Sequence, residues 1–231
     1  MIIGNVSAWA PHTHNYIADK IKERSAETNI TFCFDNSANE DGFRAGMIIP
    51  DITVLDYINK PKIYQKTHSW NFQTEVLNRA ESQDEKCLAY GIAAHLIADS
   101  VAHGKFMVSK IEKTGFPEYI THPVIEAKYD KCIVSKNKYL IAETGKSLDV
   151  FYDAEKEAYI ENIKASLGEE SKENVKGRIN KLATVLKALK FIIIAEEIAT
   201  SLNPSGFGCN EIEINYYMQQ TEDLIIKNFQ G

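Results

Sequence analysis

Apolar residues in this chain recur mostly at intervals of three and four, the spacing of amphipathic helices. The strongest segment runs from Leu88 to Phe106, where apolar residues cover nearly every face and predict a helix at the centre of a bundle. Acidic residues within 82–85 precede it and suit the positive end of a helix dipole. A first helix follows Thr13, a predicted N-cap. Further helices are predicted over residues 66–79, 121–135, 149–166, 171–202 and 212–229.

The segment between the first two helices is predicted to be irregular. Residues 29–39 mix β-branched and turn-forming types, and Pro50 restricts the backbone directly before Asp51. The chain contains no alternation of strand and helix patterns and no internal repeat. We therefore predict an all-α fold, a multi-helix bundle of about seven helices that forms a single domain over residues 1–231.

Charge and length exclude several function classes. The 231 residues have a formal net charge of −6, so a broad basic groove for nucleic acid is not expected. A small phosphate-binding pocket remains compatible with this charge, because bound cations would supply positive charge locally. The longest apolar run, 191–195, is too short to span a membrane, and residues 1–10 do not resemble a secretory signal. A cytoplasmic location is predicted, or secretion if the chain is processed before Trp9.

The cysteines give no metal-binding or redox motif. They stand at positions 33, 87, 132 and 209, far apart and without a Cys-x-x-Cys pair. This scatter favours free thiols in a reducing compartment over disulfide bonds.

The histidines carry the chemical signal. All six lie within the first 122 residues, each close to a carboxylate or to another histidine. His95, Asp99 and His103 follow one another at i, i+4 and i+8, which places them on one face of a helix. Since this helix is apolar almost all round, a polar row on it must be desolvated and therefore needs compensation.

More candidate ligands lie on either side of that row. They are His12, His14, Asp51, His68, His122 and Glu126. Imidazole and carboxylate are ligands that zinc prefers, so two or three adjacent metal ions are the simplest explanation. The spacing leaves open whether His12 or His14 faces the site. Asp130 is either a residue that orients a ligand histidine or a solvated carboxylate.

Other helical metal architectures do not match. The Glu-x-x-His pairs of di-iron bundles, the His-Glu-x-x-His motif and an adjacent His-Asp dipeptide are all absent from the sequence.

The combination of motifs resembles the zinc-dependent phospholipase C family, whose fold the single-strand-specific zinc nucleases share. Its elements are the His-x3-Asp-x3-His row after Tyr90-Gly91-Ile92, a following His-x3-Glu, an upstream Gly-x3-Pro-Asp, and an N-terminal tryptophan and histidine. They extend from Trp9 to about Asp130. The resemblance implies a buried multinuclear zinc site in an all-α fold.

The resemblance also implies a ligand set. One zinc ion would be held by Asp51, His68, His95 and Asp99. A second ion would be held by His103, His122 and Glu126. A third would use His14 and the other side of Asp99. In the secreted relatives an N-terminal tryptophan completes the third site; here the matching Trp9 follows eight residues, so His12 is an alternative ligand.

The implied activity is hydrolysis of a phosphate ester by two firmly bound zinc ions and a third at the weaker site. Asp51 is the candidate general base, and the substrate is a phospholipid head group, a smaller phosphodiester or a monoester. Two alternatives remain open. One is a nuclease of the same fold that acts on single strands, and the other is a metal-binding protein without turnover in which residues 1–8 occupy the site. The sequence does not determine an oligomeric state.

Overall fold

The structure is a computed structural model that describes the backbone of residues 10–56, 61–107, 118–168, 171–186 and 210–230. Within these ranges the regular elements are all helical, so the predicted all-α class is confirmed. The α-helices are α1 Pro11–Glu23, α2 Ser37–Gly46, α3 Pro61–Thr67, α4 Trp70–Asn78, α5 Gln83–Val101, α6 Glu118–Lys136, α7 Leu140–Asp149, α8 Glu157–Leu167, α9 over residues 172–186, and α10 Glu211–Asn228.

Helix α5 is the centre of this arrangement, as its sequence predicts. It packs against α2, α4 and α10, and most of its residues are buried. A capping box starts the helix, because the Ser82 hydroxyl accepts from the Glu85 amide and the Glu85 carboxylate accepts from the Ser82 amide. Two apolar clusters lie on opposite sides of α5. None of the described helices is both long and apolar enough to cross a membrane.

Helix α2 was not expected from the sequence. The segment was predicted to be irregular, yet Ser37–Gly46 forms a regular helix with Asn36 as its N-cap. Gly42 and Gly46 give the segment a low intrinsic helix propensity. Packing against α5 overrides that propensity, because small residues on α2 allow the two backbones to approach closely.

Several helix boundaries differ from the prediction. The single helix expected over 66–79 is divided into α3 and α4, since Ser69 caps the second piece by accepting from the Phe72 amide. The stretch expected to end at Phe106 leaves α-helical geometry at Val101 and continues as a π turn, Ala102–Met107. Helix α7 was not predicted, and Val150–Tyr152 and Ala154–Lys156 form two 3-10 turns where the prediction had the start of an α-helix. Of the helix predicted over 171–202, the end beyond residue 186 lies outside the described residues.

Helix α1 begins three residues earlier than expected. Pro11 occupies the first helical position, where a missing N–H costs nothing, and Thr13 therefore lies inside the first turn. The prediction of Thr13 as the N-cap was wrong. Its hydroxyl is buried and contacts Asp130 on α6 instead.

The contact between α2 and α5 is a close crossing at two glycines. A Cβ atom on Gly91 would lie 2.1 Å from the Phe43 carbonyl oxygen and 2.9 Å from the Gly46 Cα. A Cβ atom on Gly46 would lie 2.1 Å from the Leu88 carbonyl oxygen. Only hydrogen fits at either position, so the glycines fix the distance between the two helices.

The three cysteines within the described residues form disulfides, which overturns the prediction of free thiols. Cys33 is bonded to Cys87, with a Cα–Cα distance of 5.4 Å, and Cys132 is disulfide-bonded as well. Cys33 lies in a 3-10 turn that docks on the first turns of α5, where Cys87 faces it. Spacing along the chain could not reveal this pair, because only the packing of the turn on α5 brings the two residues together.

We expect the variant Cys33→Ser/Cys87→Ser to lose about 2–4 kcal/mol of unfolding free energy, because the bond closes a loop of 54 residues in the unfolded chain. Urea denaturation of the variant and the wild type, without reductant, measures the difference. Peptide mapping under non-reducing conditions provides the control, since it should recover the Cys33–Cys87 pair from the wild type. Two alkylatable thiols at these positions in the denatured wild-type protein would contradict the assignment.

Candidate metal centre

Imidazoles and carboxylates from four segments converge beside the middle of α5. The members with mutual contacts are His14 from α1, Asp51 from the 3-10 segment Ile49–Asp56, His68 from the α3–α4 junction, and His95 and Asp99 from α5. His14 and His95 are fully buried, and Asp51 is 1% exposed. Two groups of three within this cluster are close enough to hold a metal ion: His14 with Asp51 and His95, and His68 with His95 and Asp99.

The nitrogen–oxygen distances in the cluster are short and similar. His95 Nε2 lies 3.3 Å from Asp99 Oδ2 and 4.0 Å from Asp51 Oδ1. His68 Nε2 lies 3.5 Å from Asp51 Oδ1 and 4.0 Å from Asp99 Oδ2. On the opposite side of the Asp99 carboxylate, His14 Nε2 lies 3.5 Å from Oδ1. Asp99 therefore faces histidines with both of its oxygens.

Backbone carbonyls orient two of the imidazoles. The His95 Nδ1 lies 2.9 Å from the Met47 carbonyl oxygen, and the His68 Nδ1 lies 3.1 Å from the Tyr64 carbonyl oxygen. A carbonyl oxygen only accepts, so each Nδ1 carries a proton, and it is Nε2 that faces the cluster; loss of its own proton, as on binding a metal ion, would leave its lone pair directed at the cluster. Coordination through Nε2 requires this arrangement, with Nδ1 donating to a backbone carbonyl.

Two buried threonines connect the segments that carry Asp51 and His68. The Thr67 hydroxyl donates to the Pro50 carbonyl at 3.0 Å and lies 2.7 Å from the Thr53 hydroxyl. The Thr67 oxygen is also 3.1 Å from His68 Nδ1. Sequence reasoning missed these threonines and the Met47 carbonyl. The sequence signal for this network is that Thr67 directly precedes the candidate ligand His68. The contact with the Met47 carbonyl has no sequence signal, because every residue has a backbone carbonyl.

The electrostatics show mutual dependence between the imidazoles and the carboxylates. Burial alone lowers the pKa of His95, but the carboxylates of Asp99 and Asp51 outweigh it and raise this pKa to about 9. Burial raises the pKa of Asp99, but His95 and His14 outweigh this effect and bring the pKa well below its usual value. Burial and repulsion from His95 lower the pKa of His14. The cluster therefore stabilises ionised carboxylates.

His103 and Glu126 lie at the border of this cluster, and neither joins the two groups above. Burial lowers the pKa of His103, partly offset by Asp99. Burial, together with the carboxylates of Asp51 and Asp99, raises the pKa of Glu126 well above its usual value. Three carboxylates thus share one buried region, and a bound cation would relieve their repulsion.

The remaining candidates from the sequence are separated from the cluster or lie outside the described residues. His12 turns to Asp130, with Nδ1 2.6 Å from Oδ2. His14, by contrast, stacks on His95 with ring centroids 4.0 Å apart. The backbone of His122 belongs to α6, but its side chain and the whole of Trp9 lie outside the described residues.

The donor set fits zinc. Ligands at the corners of a zinc tetrahedron, with bonds of about 2.0–2.1 Å, lie about 3.3 Å from one another. The nitrogen–oxygen distances in the cluster, 3.3 to 4.0 Å, approach that value. The buried Nε2 atoms of His14, His68 and His95 and both oxygens of Asp99 have no hydrogen-bond partner among the described residues. Polar atoms buried in this way ordinarily have partners, and a cation would provide one.

Comparison with known families agrees with this chemistry. The family described as zinc dependent phospholipase C matches residues 13–190 of the 231-residue chain. The chain belongs to the zinc-dependent phospholipase C family. Comparisons with curated proteins and with solved structures gave no match. At the level of the family, this protein is a zinc-dependent, phospholipase C-like hydrolase, and the resemblance stated from its motifs is confirmed.

Proposed function

We propose that this phospholipase C family member hydrolyses phosphate esters at the buried cluster around Asp99. The observation that carries the proposal is the convergence of three imidazole Nε2 atoms on the two oxygens of that carboxylate, in a buried region where the described residues form no competing hydrogen bonds to these atoms. Family membership supports the zinc dependence and the hydrolytic class.

The first zinc ion is assigned to Asp51, His68, His95 and Asp99. The four distances between their imidazole nitrogens and carboxylate oxygens lie between 3.3 and 4.0 Å. A third site is assigned to His14 and the second oxygen of Asp99, because these two atoms face each other at 3.5 Å. A second ion is assigned to His103, His122 and Glu126, which the sequence motif supports.

Bound zinc would supply a Lewis acid that lowers the pKa of a water molecule and neutralises charge on the phosphoryl oxygens. The protein contributes orientation, since the Met47 and Tyr64 carbonyls hold the His95 and His68 rings in place. Asp51 is the proposed general base. Burial by itself raises the pKa of Asp51, but His95 and His68 outweigh it and keep the carboxylate ionised, ready to accept a proton from the attacking water.

A small or lipid phosphate ester is favoured over a single-stranded nucleic acid. Binding of single strands requires aromatic faces on which bases can stack. Tyr64 stacks on His68, with ring centroids 4.2 Å apart, but its own side chain is completely buried. Tyr64 therefore offers no free face to a base.

Metal content and turnover test the proposal together. Protein purified without chelator and dialysed against zinc is expected to retain at least two ions per chain and to hydrolyse bis(p-nitrophenyl) phosphate. Parallel assays with p-nitrophenyl phosphorylcholine, phosphatidylcholine vesicles and single-stranded DNA distinguish the substrate classes. Fewer than one retained ion contradicts the metal assignment. Full metal occupancy without turnover on any substrate favours the metal-binding protein without activity.

Removing the metal is expected to lower stability as well as activity. Ligand binding to the folded state contributes about 4 kcal/mol when the free zinc concentration is 1,000 times the dissociation constant. Dialysis against a chelator should therefore lower the melting temperature, and added zinc should restore it. Calorimetry with and without zinc measures the effect. Identical melting in the two conditions would contradict coupling between the metal and the fold.

A further inference from the structure

Asp130 is a buried carboxylate outside the proposed ligand set, and its described hydrogen bonds all go to the first turn of α1. Its Oδ2 lies 2.6 Å from His12 Nδ1, and its Oδ1 accepts from the Thr13 amide at 2.7 Å and from the Thr13 hydroxyl at 2.9 Å. The residue is 2% exposed. A charged group buried this deeply is stable only with such partners.

Helix α1 lacks a cap from its own sequence. The residue before its first turn is Ala10, whose side chain cannot accept a hydrogen bond. Asp130 compensates from α6, because its carboxylate accepts from the Thr13 amide and carries negative charge at the positive end of the α1 dipole. One side chain of α6 thus fixes the start of α1.

The residues on either side of this contact are proposed metal ligands. His14 follows Thr13 directly, and its Nε2 lies 3.5 Å from Asp99. Glu126 lies one turn before Asp130 on α6, and residues at i and i+4 share one face of a helix. The Asp130 contact therefore lies within one turn of a proposed ligand on each of two helices.

We infer that Asp130 is a positioning residue: together with His12, it holds His14 and Glu126 where both face the metal cluster. The inference rests on the proposed function of that cluster. It makes His12 a positioning residue rather than a metal ligand, because Nδ1 of the His12 imidazole contacts the Asp130 carboxylate. Groups of this kind around metal ligands change affinity by about 10–100-fold when they are removed.

Helix α1 also offers a matched control on its other side. The Asn15 amide donates to the Thr144 hydroxyl at 3.1 Å, and both residues are buried. This bond ties α1 to α7, a helix without a proposed ligand. Thr144→Val removes a buried hydrogen bond to α1 while leaving the contact with α6 in place.

The test compares Asp130→Ala, Asp130→Asn, His12→Asn and Thr144→Val by zinc titration against a chromophoric chelator. Cobalt(II) absorption serves as a second readout of coordination geometry. Asp130→Ala is expected to weaken the ions assigned to His14 and Glu126 by about 10–100-fold, while the ion assigned to His68 and His95 keeps its affinity. Asp130→Asn retains an acceptor for Thr13 and should lose less. Circular dichroism confirms that each variant is folded.

His12→Asn places an amide nitrogen near the position of Nδ1, so the contact with Asp130 and wild-type zinc affinity should both survive. Thr144→Val is expected to lower stability without changing zinc affinity. A change of the cobalt(II) spectrum in His12→Asn that Asp130→Ala does not share would show that His12 is itself a ligand and would overturn its supporting role. Equal effects of Asp130→Ala and Thr144→Val on zinc affinity would overturn the role of Asp130. A wild-type protein that binds no zinc would overturn the proposed function, and this inference with it.

Discussion

Asp99→Asn is expected to reduce phosphodiester hydrolysis by roughly 100-fold or more, since even changes outside the ligand shell cost about 10–100-fold at metal sites. The substitution preserves the shape of the side chain and removes its charge. Both Asp99 oxygens face imidazoles, at 3.3 Å from His95 and 3.5 Å from His14. An amide presents only one oxygen, so the contacts on one side of the residue are lost. Initial rates at saturating zinc, with metal content measured on the same sample, give the effect.

The same variant should separate metal-dependent from metal-independent stability. In zinc its melting temperature should fall well below that of the wild type, and in chelator the difference between the two proteins should become smaller. Asp149→Asn is the matched control, because Asp149 is exposed at the end of α7 and should behave as the wild type does. Unchanged zinc content together with unchanged zinc-dependent melting in Asp99→Asn would contradict the assignment of this residue.

Gly91→Ala is expected to destabilise the fold by about 3 kcal/mol or more, because one added methyl group has no space at the α2–α5 crossing. The new Cβ atom would lie 2.1 Å from the backbone oxygen of Phe43, and backbone cannot move aside as a side chain can. The two helices must separate. That separation would also pull the Met47 carbonyl away from His95, so zinc affinity should decrease together with stability.

Gly145→Ala provides the comparison for this prediction. Gly145 lies in α7, and nothing approaches within 4 Å of the position where its Cβ atom would be placed. Alanine should stabilise this helix by about 0.5–1 kcal/mol, the difference in helix propensity between the two residues. Urea denaturation of both variants measures the contrast. A Gly91→Ala protein as stable as the wild type would show that the crossing is not tightly packed.

The position of α5 and the burial of His95 and Asp99 follow from the sequence, because a helix that is apolar on nearly all faces must lie inside the bundle, whereas His103 lies beyond the end of α5 in the π turn. His95 and Asp99 on such a helix must be buried together, and the structure places them 3.3 Å apart. Helix α2 could not be predicted in the same way. Its glycines resemble helix breakers until the partner surface on α5 is known, since their role depends on a backbone that lies far away in the sequence.

The candidate site could be predicted only in part, because some of its contacts depend on segments that are far apart in the sequence. Residue types and spacing indicate His14, His68 and Asp51 as candidates, yet the groups that orient them leave little or no sequence signal. The Met47 carbonyl is a backbone atom, and Thr53 reaches Thr67 only because two separate segments meet. The disulfide between Cys33 and Cys87 depends equally on tertiary packing.

The proposed ligands of the first zinc ion are dispersed along the chain, and this has a consequence for folding kinetics. Of these four residues, only His95 and Asp99 lie on the same element, one helical turn apart, whereas Asp51 and His68 belong to other segments. Bringing them together closes long loops, whose entropic cost is offset only when the core around α5 has formed. No short fragment of the chain can therefore assemble the site. Uptake of zinc during refolding should coincide with the final formation of the bundle, and so serve as a direct measure of the native population.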